Sequence, residues 1–214
     1  MSTIIYFLRH SEPTNKNNIN NISNHDNAQV TNEKSFLSVS GEKRAEKLSK
    51  LEELSNIDSV YCSNYVRALE TAKYIALENN TVINIDDRLN ERKIGAIASM
   101  PMLEFEKLQM VDWSFKLPGG EALNQVKKRV VESVKNILMF ETDNRVVVVS
   151  HATVLTCLLS AWCKVGRNYD DDIILEYNGE TIIDGNWDTP ALFKVEFDGM
   201  DVISVKYISL EDIW

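Results

Sequence analysis

Two uninterrupted apolar runs dominate the hydrophobic pattern of the chain: IIYFL, which begins at Ile4, and VVVV, which begins at Val146. Both are rich in β-branched or aromatic residues and contain no polar position, which is typical of strands buried on both faces. Strands of this kind occur in parallel sheets that helices cover on both sides. The pattern therefore predicts an α/β fold that contains these two strands.

Helix-like and strand-like segments alternate along the rest of the chain. Apolar residues recur at helical spacing in five segments, at about 45–54, 66–77, 100–111, 123–138 and 153–162. Ser40 and Ser63 are the predicted N-caps of the first two helices. Short strands are predicted at Asp58–Cys62 and Thr81–Asp86, and the later runs IILEY, ETIID, ALFKVEF and VISVKYI predict an antiparallel extension of the sheet. We expect one domain over residues 1–214, a three-layer sandwich with a mostly parallel sheet flanked by helices and antiparallel edge strands near the C-terminus.

The segment from Thr14 to Ser35 is rich in asparagine and shows little periodicity. It predicts a polar loop insertion at about 14–36, because so few apolar residues cannot offset the entropy cost of ordering the chain. Two interpretations stay open, a mobile surface loop and a lid over a binding site. His25 belongs to this segment and is interpreted as solvated rather than catalytic.

Composition narrows the classes of function. The chain has 214 residues, a net charge of −9 and a pI near 4.9, which argues against binding to nucleic acids or anionic membranes. The opening MSTIIYF lacks the basic and long apolar regions of a signal peptide, and no apolar run has the length of a membrane span. Cys62, Cys157 and Cys163 stand in apolar contexts without metal-type spacing, so buried thiols are expected. We expect a cytoplasmic protein.

Two of the three histidines directly follow the two apolar runs. IIYFL continues into Arg9 and His10, and the valine run continues into Ser150 and His151. In open α/β sheets, ligands bind at the carboxyl ends of the strands. A polar pair after one strand is common as a simple loop lining. Its repetition after a second strand favours a shared site.

Arg67 lies in the first turn of the second predicted helix. The helix dipole disfavours a cation at that end, so an arginine there favours an anion bound at the same place. The alternative is a surface arginine without a partner, and the local sequence does not decide between the two.

Five short motifs resemble those of the histidine phosphatase superfamily, the phosphoglycerate mutase-like group, and follow the family's order. They are Leu8-Arg9-His10-Ser11-Glu12, the run from Cys62 to Ala72 with Ser-x3-Arg-Ala-x2-Thr-Ala spacing, Leu89-Asn90-Glu91 with Gly95, Gly119-Gly120-Glu121, and Ser150-His151-Ala152. Ser11 and Ala152 stand where the family usually has glycine, which tightens the backbone around the pocket.

The resemblance implies metal-independent hydrolysis of a small phosphorylated metabolite, without a cofactor. His10 would attack phosphorus and carry a phosphohistidine, and Glu91 would protonate the leaving group and then activate water. His151 would stabilise charge on the phosphoryl oxygens, and Arg9 and Arg67 would bind them. The implied substrate-binding positions are Arg9, Arg67, His151, Ser11 and Ala152.

Other carboxylates compete with Glu91 for the role of the acid. Asp86 and Asp87 lie just upstream, and Glu121 follows a glycine pair. The motif selects Glu91, and we expect Glu121 to be a favourable charge in the first turn of its helix.

Two other functions stay open. A phosphoglycerate-type mutase would need further cations to hold the carboxylate of its substrate. In the segment Ala96–Leu117, where a capping insertion would lie, the only cationic residues are Lys107 and Lys116. A catalytically inactive phosphate-binding domain would be expected to lack His10 or Glu91, and both are present.

Overall fold

The computed structural model describes residues 2–14, 25–96, 100–169, 172–185 and 187–213. The strands within these ranges are β1 (Thr3–Arg9), β2 (Ser59–Cys62), β3 (Ile83–Ile85), β4 (Arg145–Ser150), β5 (Lys164–Arg167), β6 (Ile173–Tyr177), β7 (Glu180–Asp184), β8 (Ala191–Asp198) and β9 (Asp201–Ile208). The α-helices are α1 (His25–Lys34), α2 (Val39–Ser49), α3 (Val66–Glu78), α4 (Met102–Val111), α5 (Leu123–Phe140) and α6 (Ala152–Leu159).

The main sheet has six strands in the order β3-β2-β4-β1-β8-β9. The first four are parallel to one another, and β8 and β9 are antiparallel additions beside β1. The predicted fold class, a mostly parallel sheet flanked by helices with antiparallel edge strands near the C-terminus, is confirmed.

Side chains of β1 alternate between two separate cores. Ile5 and Phe7 pack on the side of α5 and α6, and Tyr6 and Leu8 pack on the side of α2 and α3. All four are fully buried. Because successive side chains of a strand point to opposite faces, a strand covered on both sides needs apolar residues at every position. This explains the uninterrupted run in the sequence.

Two of the later strands do not extend the main sheet. The runs IILEY and ETIID form β6 and β7, which pair with β5 in a separate three-stranded antiparallel sheet. The prediction of one continuous extension is wrong for these two strands. It holds for β8 and β9.

Both predicted N-caps are displaced by two residues. α2 begins after Ser38, whose side chain accepts a hydrogen bond from the Gly41 N–H at 2.9 Å, rather than after Ser40. α3 begins after Tyr65, so Ser63 is not its N-cap. Arg67 still lies in the first turn of α3, as predicted.

The polar segment contains a helix where the sequence predicts a loop. α1 occupies residues 25–34, and a backbone bond from Thr14 N–H to Phe36 carbonyl oxygen at 2.9 Å joins the two ends of the segment. Residues 15–24 and the side chain of His25 lie outside the described part of the chain. Over the residues that the structure describes, no helix combines the length and apolarity that crossing a membrane requires.

Candidate active site

The two histidines after the apolar strands meet at one edge of the sheet. β1 and β4 end side by side, with Arg9 paired to Ser150 in the register. His10 donates its backbone N–H to the Ser150 carbonyl at 3.0 Å, and His151 is the residue that precedes α6. The two imidazole rings lie 5.1 Å apart between centroids, and both are buried.

Arg67 joins the two histidines. Its Nε donates to Nε2 of His10 at 2.9 Å, and its Nη2 lies 3.1 Å from Nδ1 of His151. The side chain is 5% exposed, so the interpretation as a surface arginine is wrong. Arg67 reaches this position because α3 starts at the same edge of the sheet where β1 and β4 end.

The hydrogen bonds of His10 fix the position of its proton. Nδ1 lies 2.7 Å from the carbonyl oxygen of Ser11, which can only accept. The ring proton therefore sits on Nδ1, and Nε2 carries the lone pair that accepts from Arg67. This lone pair lies at the carboxyl end of β1, the position at which open α/β sheets bind ligands.

The surroundings keep both rings uncharged. Burial, followed by the charges of Arg67 and Arg9, lowers the pKa of His10 well below its ordinary value. Burial, followed by Arg67 and then His10, lowers the pKa of His151 in the same way. Both imidazoles are therefore neutral near pH 7, which is the state in which His10 can attack.

Arg9 carries a donor that no described residue accepts. Its Nη1 donates to the carbonyl oxygens of Trp187 at 2.6 Å and Asp188 at 3.3 Å. Its Nε is buried and has no hydrogen-bond partner among the described residues. A buried donor without an acceptor is costly, so an anion beside Arg9 would satisfy it.

Among the carboxylates, Glu91 has the largest electrostatic effect on Arg9 and Arg67. Burial lowers the pKa of Arg9 and of Arg67, and Glu91 is the largest charge that opposes this at both. One carboxylate oxygen of Glu91 accepts from the backbone N–H of Arg92 at 2.8 Å. The side chain is half-buried and makes no salt bridge recorded among the described residues.

Glu121 is engaged elsewhere. It precedes Ala122, the residue before α5, so the expectation that it lies in the first turn of a helix is wrong. Both of its oxygens accept from Arg129, at 2.9 and 3.0 Å. Burial raises the pKa of Glu121, but the hydrogen bonds and charge of Arg129 outweigh this and lower it. Glu121 is therefore held as a carboxylate and is a poor proton donor near pH 7.

The aspartates upstream of Glu91 are also paired. Asp86 accepts from Arg88 at 2.7 Å and from Ser133 at 2.7 Å, and Asp87 accepts from Asn64 at 2.7 Å. Burial raises the pKa of Asp86, but the bonds from Arg88 and Ser133 lower it by more. Neither aspartate competes with Glu91 for the site.

Gly95 fixes the loop that carries Glu91. Its φ of +81° lies in the left-handed region, and a Cβ there would stand 2.5 Å from the backbone nitrogen of Gly120. Ala96 donates its backbone N–H to Pro118 at 3.0 Å, and Glu121 donates to Lys93 at 2.8 Å. The loop after Glu91 is thus tied to the turn that precedes α5, and only glycine fits at the crossing.

A cavity of about 200 Å³ lies on the Glu91 side of the site. Its walls include Arg92, which follows Glu91, and Ala152 and Thr153, which follow His151. Met110 and Leu123 add apolar surface. The cavity therefore has the mixed polar and apolar lining of small-molecule sites and lies beside residues that follow Glu91 and His151.

α1 borders the same group of side chains. The backbone carbonyl of Asn32 accepts from Nη1 of Arg67, and Gln29 Nε2 donates to the Tyr65 hydroxyl at 2.9 Å. The Tyr65 ring lies 5.0 Å from the His151 ring, and burial raises the pKa of Tyr65 to about 12. The polar segment therefore forms a wall of the site, and its role as a lid stays a prediction.

A family model described as histidine phosphatase superfamily (branch 1) matches residues 5–196. The chain belongs to the histidine phosphatase superfamily. The match includes every motif on which the resemblance rests, and the recognition of the family from its motifs is confirmed.

Relatives within and around the superfamily carry different activities in their names. A protein of Serratia proteamaculans named "Probable phosphoglycerate mutase GpmB" is 27% identical over 164 residues, which is 73% of each chain. The structure of a mycobacterial glucosyl-3-phosphoglycerate phosphatase has a TM-score of 0.64 and 18% identity and covers 100% of this chain and 99% of its own. The structure of phosphoserine phosphatase from Entamoeba histolytica has a TM-score of 0.63 and 14% identity, and the match covers 99% of this chain and 100% of that one. The structures show the shared fold, and the names leave hydrolysis and mutase transfer undecided.

The two positions where this member departs from the superfamily's glycines differ in their contacts. The Ser11 hydroxyl is buried and donates to the Gly41 carbonyl at 2.7 Å, while its N–H donates to Thr71 at 2.9 Å. Ala152 is the first residue of α6 and lines the cavity. Their roles in substrate binding stay predictions, as do those of the other site residues.

Sequence reasoning missed three residues that contact the histidines or their partners. Ser63 Oγ lies 2.8 Å from His151 Nε2, and Asn90 Oδ1 accepts from Ser63 Oγ at 2.8 Å. Tyr65 packs against His151. All three stand inside the motifs, so their positions were visible, but Ser63 was interpreted as a helix cap and the others received no role.

Proposed function

We propose that this chain hydrolyses a small phosphate monoester through a phosphohistidine at Nε2 of His10, without a metal ion. The observation that carries the proposal is the buried, neutral His10, whose Nε2 lone pair lies 2.9 Å from Nε of Arg67. A nucleophile and a cation that binds phosphoryl oxygens are thus in contact before substrate arrives.

Substrate binding exchanges hydrogen-bond partners. The Arg67 donors that now meet His10 and His151 pass to phosphoryl oxygens, which frees the lone pair of His10 for attack. The unpartnered Nε of Arg9 binds a further oxygen. Two guanidinium groups then balance the charge of the phosphoryl group, a task for which a metal ion is not needed.

In the first chemical step, the Nε2 lone pair of His10 forms a bond to phosphorus as the bond from phosphorus to the ester oxygen breaks. Glu91, in its protonated form, gives its proton to the departing alkoxide. The Ser11 carbonyl holds the proton on Nδ1, so the positive charge that develops on the imidazole is stabilised by a hydrogen bond. The products of this step are an alcohol and a phosphohistidine.

In the second step, the carboxylate of Glu91 accepts a proton from water while the water oxygen forms a bond to phosphorus. The bond between phosphorus and Nε2 breaks, inorganic phosphate leaves, and both Glu91 and His10 return to their starting states. One ester and one water are consumed for each alcohol and phosphate.

The two lysines of the segment Ala96–Leu117 favour hydrolysis over a mutase reaction. A mutase that moves a phosphoryl group along a phosphoglycerate would need cations for the substrate carboxylate. Lys107 and Lys116 are exposed, and Arg92 pairs with Glu106 at 3.1 Å. Arg167 of β5 is a further cation in the cavity wall, so the preference for hydrolysis rests on the exposure of the two lysines.

A panel of phosphate esters, including phosphoserine and 3-phosphoglycerate, tests the proposal. Release of inorganic phosphate that persists with EDTA is the expected result. Phosphohistidine should be trapped on the protein during turnover. Isomerised phosphoglycerate without phosphate release would assign the chain to the mutases, and binding without turnover on every ester would make it a phosphate-binding domain.

A further inference from the structure

Ser63 sits at the centre of a buried hydrogen-bond chain behind His151. The serine is fully buried, and its Oγ lies 2.8 Å from His151 Nε2 and 2.8 Å from Asn90 Oδ1. The backbone N–H of Tyr65 donates to the same Oγ at 3.2 Å. These hydrogen bonds lie on the Nε2 side of the His151 ring, away from Arg67.

The directions of these bonds follow from the capacities of the groups. The backbone N–H of Asn64 donates to the same atom of Asn90 at 2.9 Å, so this atom is the amide oxygen and not the amide nitrogen. Because an amide oxygen can only accept, Ser63 must donate to it. A hydroxyl has one proton, and Ser63 has given it to Asn90. Its oxygen can therefore only accept from His151 Nε2.

The other nitrogen of His151 gives the same answer. Nδ1 lies 3.1 Å from Nη2 of Arg67, and a guanidinium can only donate. Nδ1 must then carry a lone pair, and the single ring proton must sit on Nε2. Two independent contacts agree on one tautomer.

This tautomer has a consequence for phosphate binding. When Arg67 turns to an anion, the ring atom left facing the anion is an Nδ1 lone pair, which repels phosphoryl oxygens. His151 can donate to the anion from Nδ1 only after it gains a second proton. Turning the proton from Nε2 to Nδ1 would break the bond to Ser63 and leave a buried serine oxygen without that donor.

We propose that Ser63 and Asn90 are positioning residues that hold the His151 proton on Nε2, so that phosphate binding is accompanied by uptake of one proton at Nδ1. The inference rests on the proposed function and deepens it, since it names the protonation state in which His151 meets the phosphoryl group.

The charges around His151 fit this linkage. The charged groups that act on the ring are Arg67 from α3, His10 and Arg9 from the end of β1, and Arg129 from α5. The titratable Tyr65, just before α3, also packs against the ring. Together with burial they disfavour a second proton, and they lower the pKa of His151. A bound anion reverses the sign of the local field, because it adds negative charge beside the ring and engages the guanidinium of Arg67.

Calorimetry of inorganic phosphate binding, at a pH where free phosphate is the dianion, measures the proton uptake. Titrations in buffers of different ionisation enthalpy should give about one proton taken up per phosphate by the wild-type protein. In Ser63→Ala the ring can place its one proton on Nδ1, so uptake should fall well below the wild-type value. Asn90→Ala should have a similar effect, because Ser63 is then free to donate to Nε2.

Ser150→Ala is the matched control. Ser150 is also buried, precedes His151 and donates its hydroxyl to the Leu89 carbonyl at 2.7 Å, with no contact to the His151 ring recorded among the described residues. Its loss should leave the proton uptake unchanged. Equal uptake in wild type, Ser63→Ala and Asn90→Ala would overturn the inference.

Nitrogen NMR of the imidazole rings tests the tautomer without a variant. His151 should show a protonated Nε2 and a bare Nδ1 in the free protein, and two protonated nitrogens with phosphate bound. A proton on Nδ1 in the free protein would also overturn the inference. A failure of the proposed function is distinguishable, because it would appear as an absence of phosphohistidine in the wild-type protein.

Discussion

On the proposed phosphate-binding side of the site, His10, Arg67 and His151 stand at strand ends and a helix start, are buried, and touch one another. On the proposed leaving-group side, Glu91 and Arg92 stand on a loop, and the cavity beside Arg92 is completed by α4, α5, α6 and the sheet of β5 and β6. The first group is held by the main sheet. In the second group, Glu91 and Arg92 stand on a connecting segment, and the rest of the cavity wall comes from helices and from the small sheet.

This difference separates chemistry from substrate choice. Groups on rigid elements keep the geometry that phosphoryl transfer requires, and the phosphoryl group is the same in every monoester. Groups on loops can differ among members of one fold without disturbing that geometry. Three of the five family motifs lie on the proposed phosphate-binding side, and the other two carry Glu91 and Glu121, so the family could be recognised from both sides. The substrate could not, because most residues that line the cavity lie outside the motifs.

The largest expected effect is on the phosphate-binding side. Replacing His10 by Ala removes the atom that bonds to phosphorus, so turnover should fall to background and no acid-labile, base-stable phosphoenzyme should form. Turnover and trapping with a radiolabelled ester measure both. Thermal unfolding serves as the control for folding. Labelled phosphoenzyme retained in a folded His10→Ala protein would place the nucleophile elsewhere.

The next effect tests the leaving-group side. Glu91→Gln should slow hydrolysis of alkyl phosphates by about 10²–10⁴-fold, and that of nitrophenyl phosphate far less, because nitrophenolate departs with little protonation. The comparison requires that phosphohistidine formation limits both rates, which single-turnover kinetics checks.

Glu121→Gln is the matched control for Glu91. Glu121 is already paired with Arg129, so its loss should lower activity on both substrates to a similar degree. Equal losses on the two substrates in Glu91→Gln, with a selective loss in Glu121→Gln, would move the acid to Glu121.

The same contrast explains what the sequence could predict about the fold. β1 and β4 were predictable because burial on both faces requires apolar residues at every position. β5 was not predicted, since KVGR has charged ends and pairs at the surface with β6. α1 was not predicted because HDNAQVTNEK has no apolar face. Its contacts run instead from Asn32 to Arg67 of α3 and from Gln29 to Tyr65, the residue before α3.

The candidate site follows a similar rule. His10 and His151 were found because a position directly after a buried strand is a local feature of the sequence. The contact of Ser63 was not found, because the partner of its hydroxyl, the His151 ring, lies 88 positions away in the sequence. From local sequence alone, a serine before a helix is interpreted as an N-cap. Glu121 was misplaced for a different reason, because α5 begins only at Leu123 and Glu121 lies before it, where it pairs with Arg129.

A smaller effect sharpens the comparison within the phosphate-binding side. Arg67→Lys keeps a positive charge but cannot meet two imidazoles, or two phosphoryl oxygens, with one planar group. We expect a loss of about 10²–10³-fold in kcat/KM. Arg145→Lys is the control, because Arg145 also donates to the Ser55 and Glu53 carbonyls but starts β4, at the opposite end from the site. A lysine tolerated equally well at both positions would contradict a bidentate role for Arg67.

The smallest effect concerns stability and pH. The pKa values of His10 and His151 are lowered in the folded protein, by burial and then by Arg67. Below about pH 6.5 the two histidines bind protons in the unfolded chain but stay neutral in the folded protein. The free energy of unfolding should therefore fall as pH falls, by up to about 1.4 kcal/mol per pH unit for each ring. The sign follows from proton binding, since the unfolded state binds more protons in this range. Urea unfolding of wild type and of the His10→Gln, His151→Gln double variant between about pH 7 and pH 5 measures the slope, which should be shallower in the double variant. An unchanged slope in the double variant would show that the acid sensitivity arises outside the phosphate-binding side.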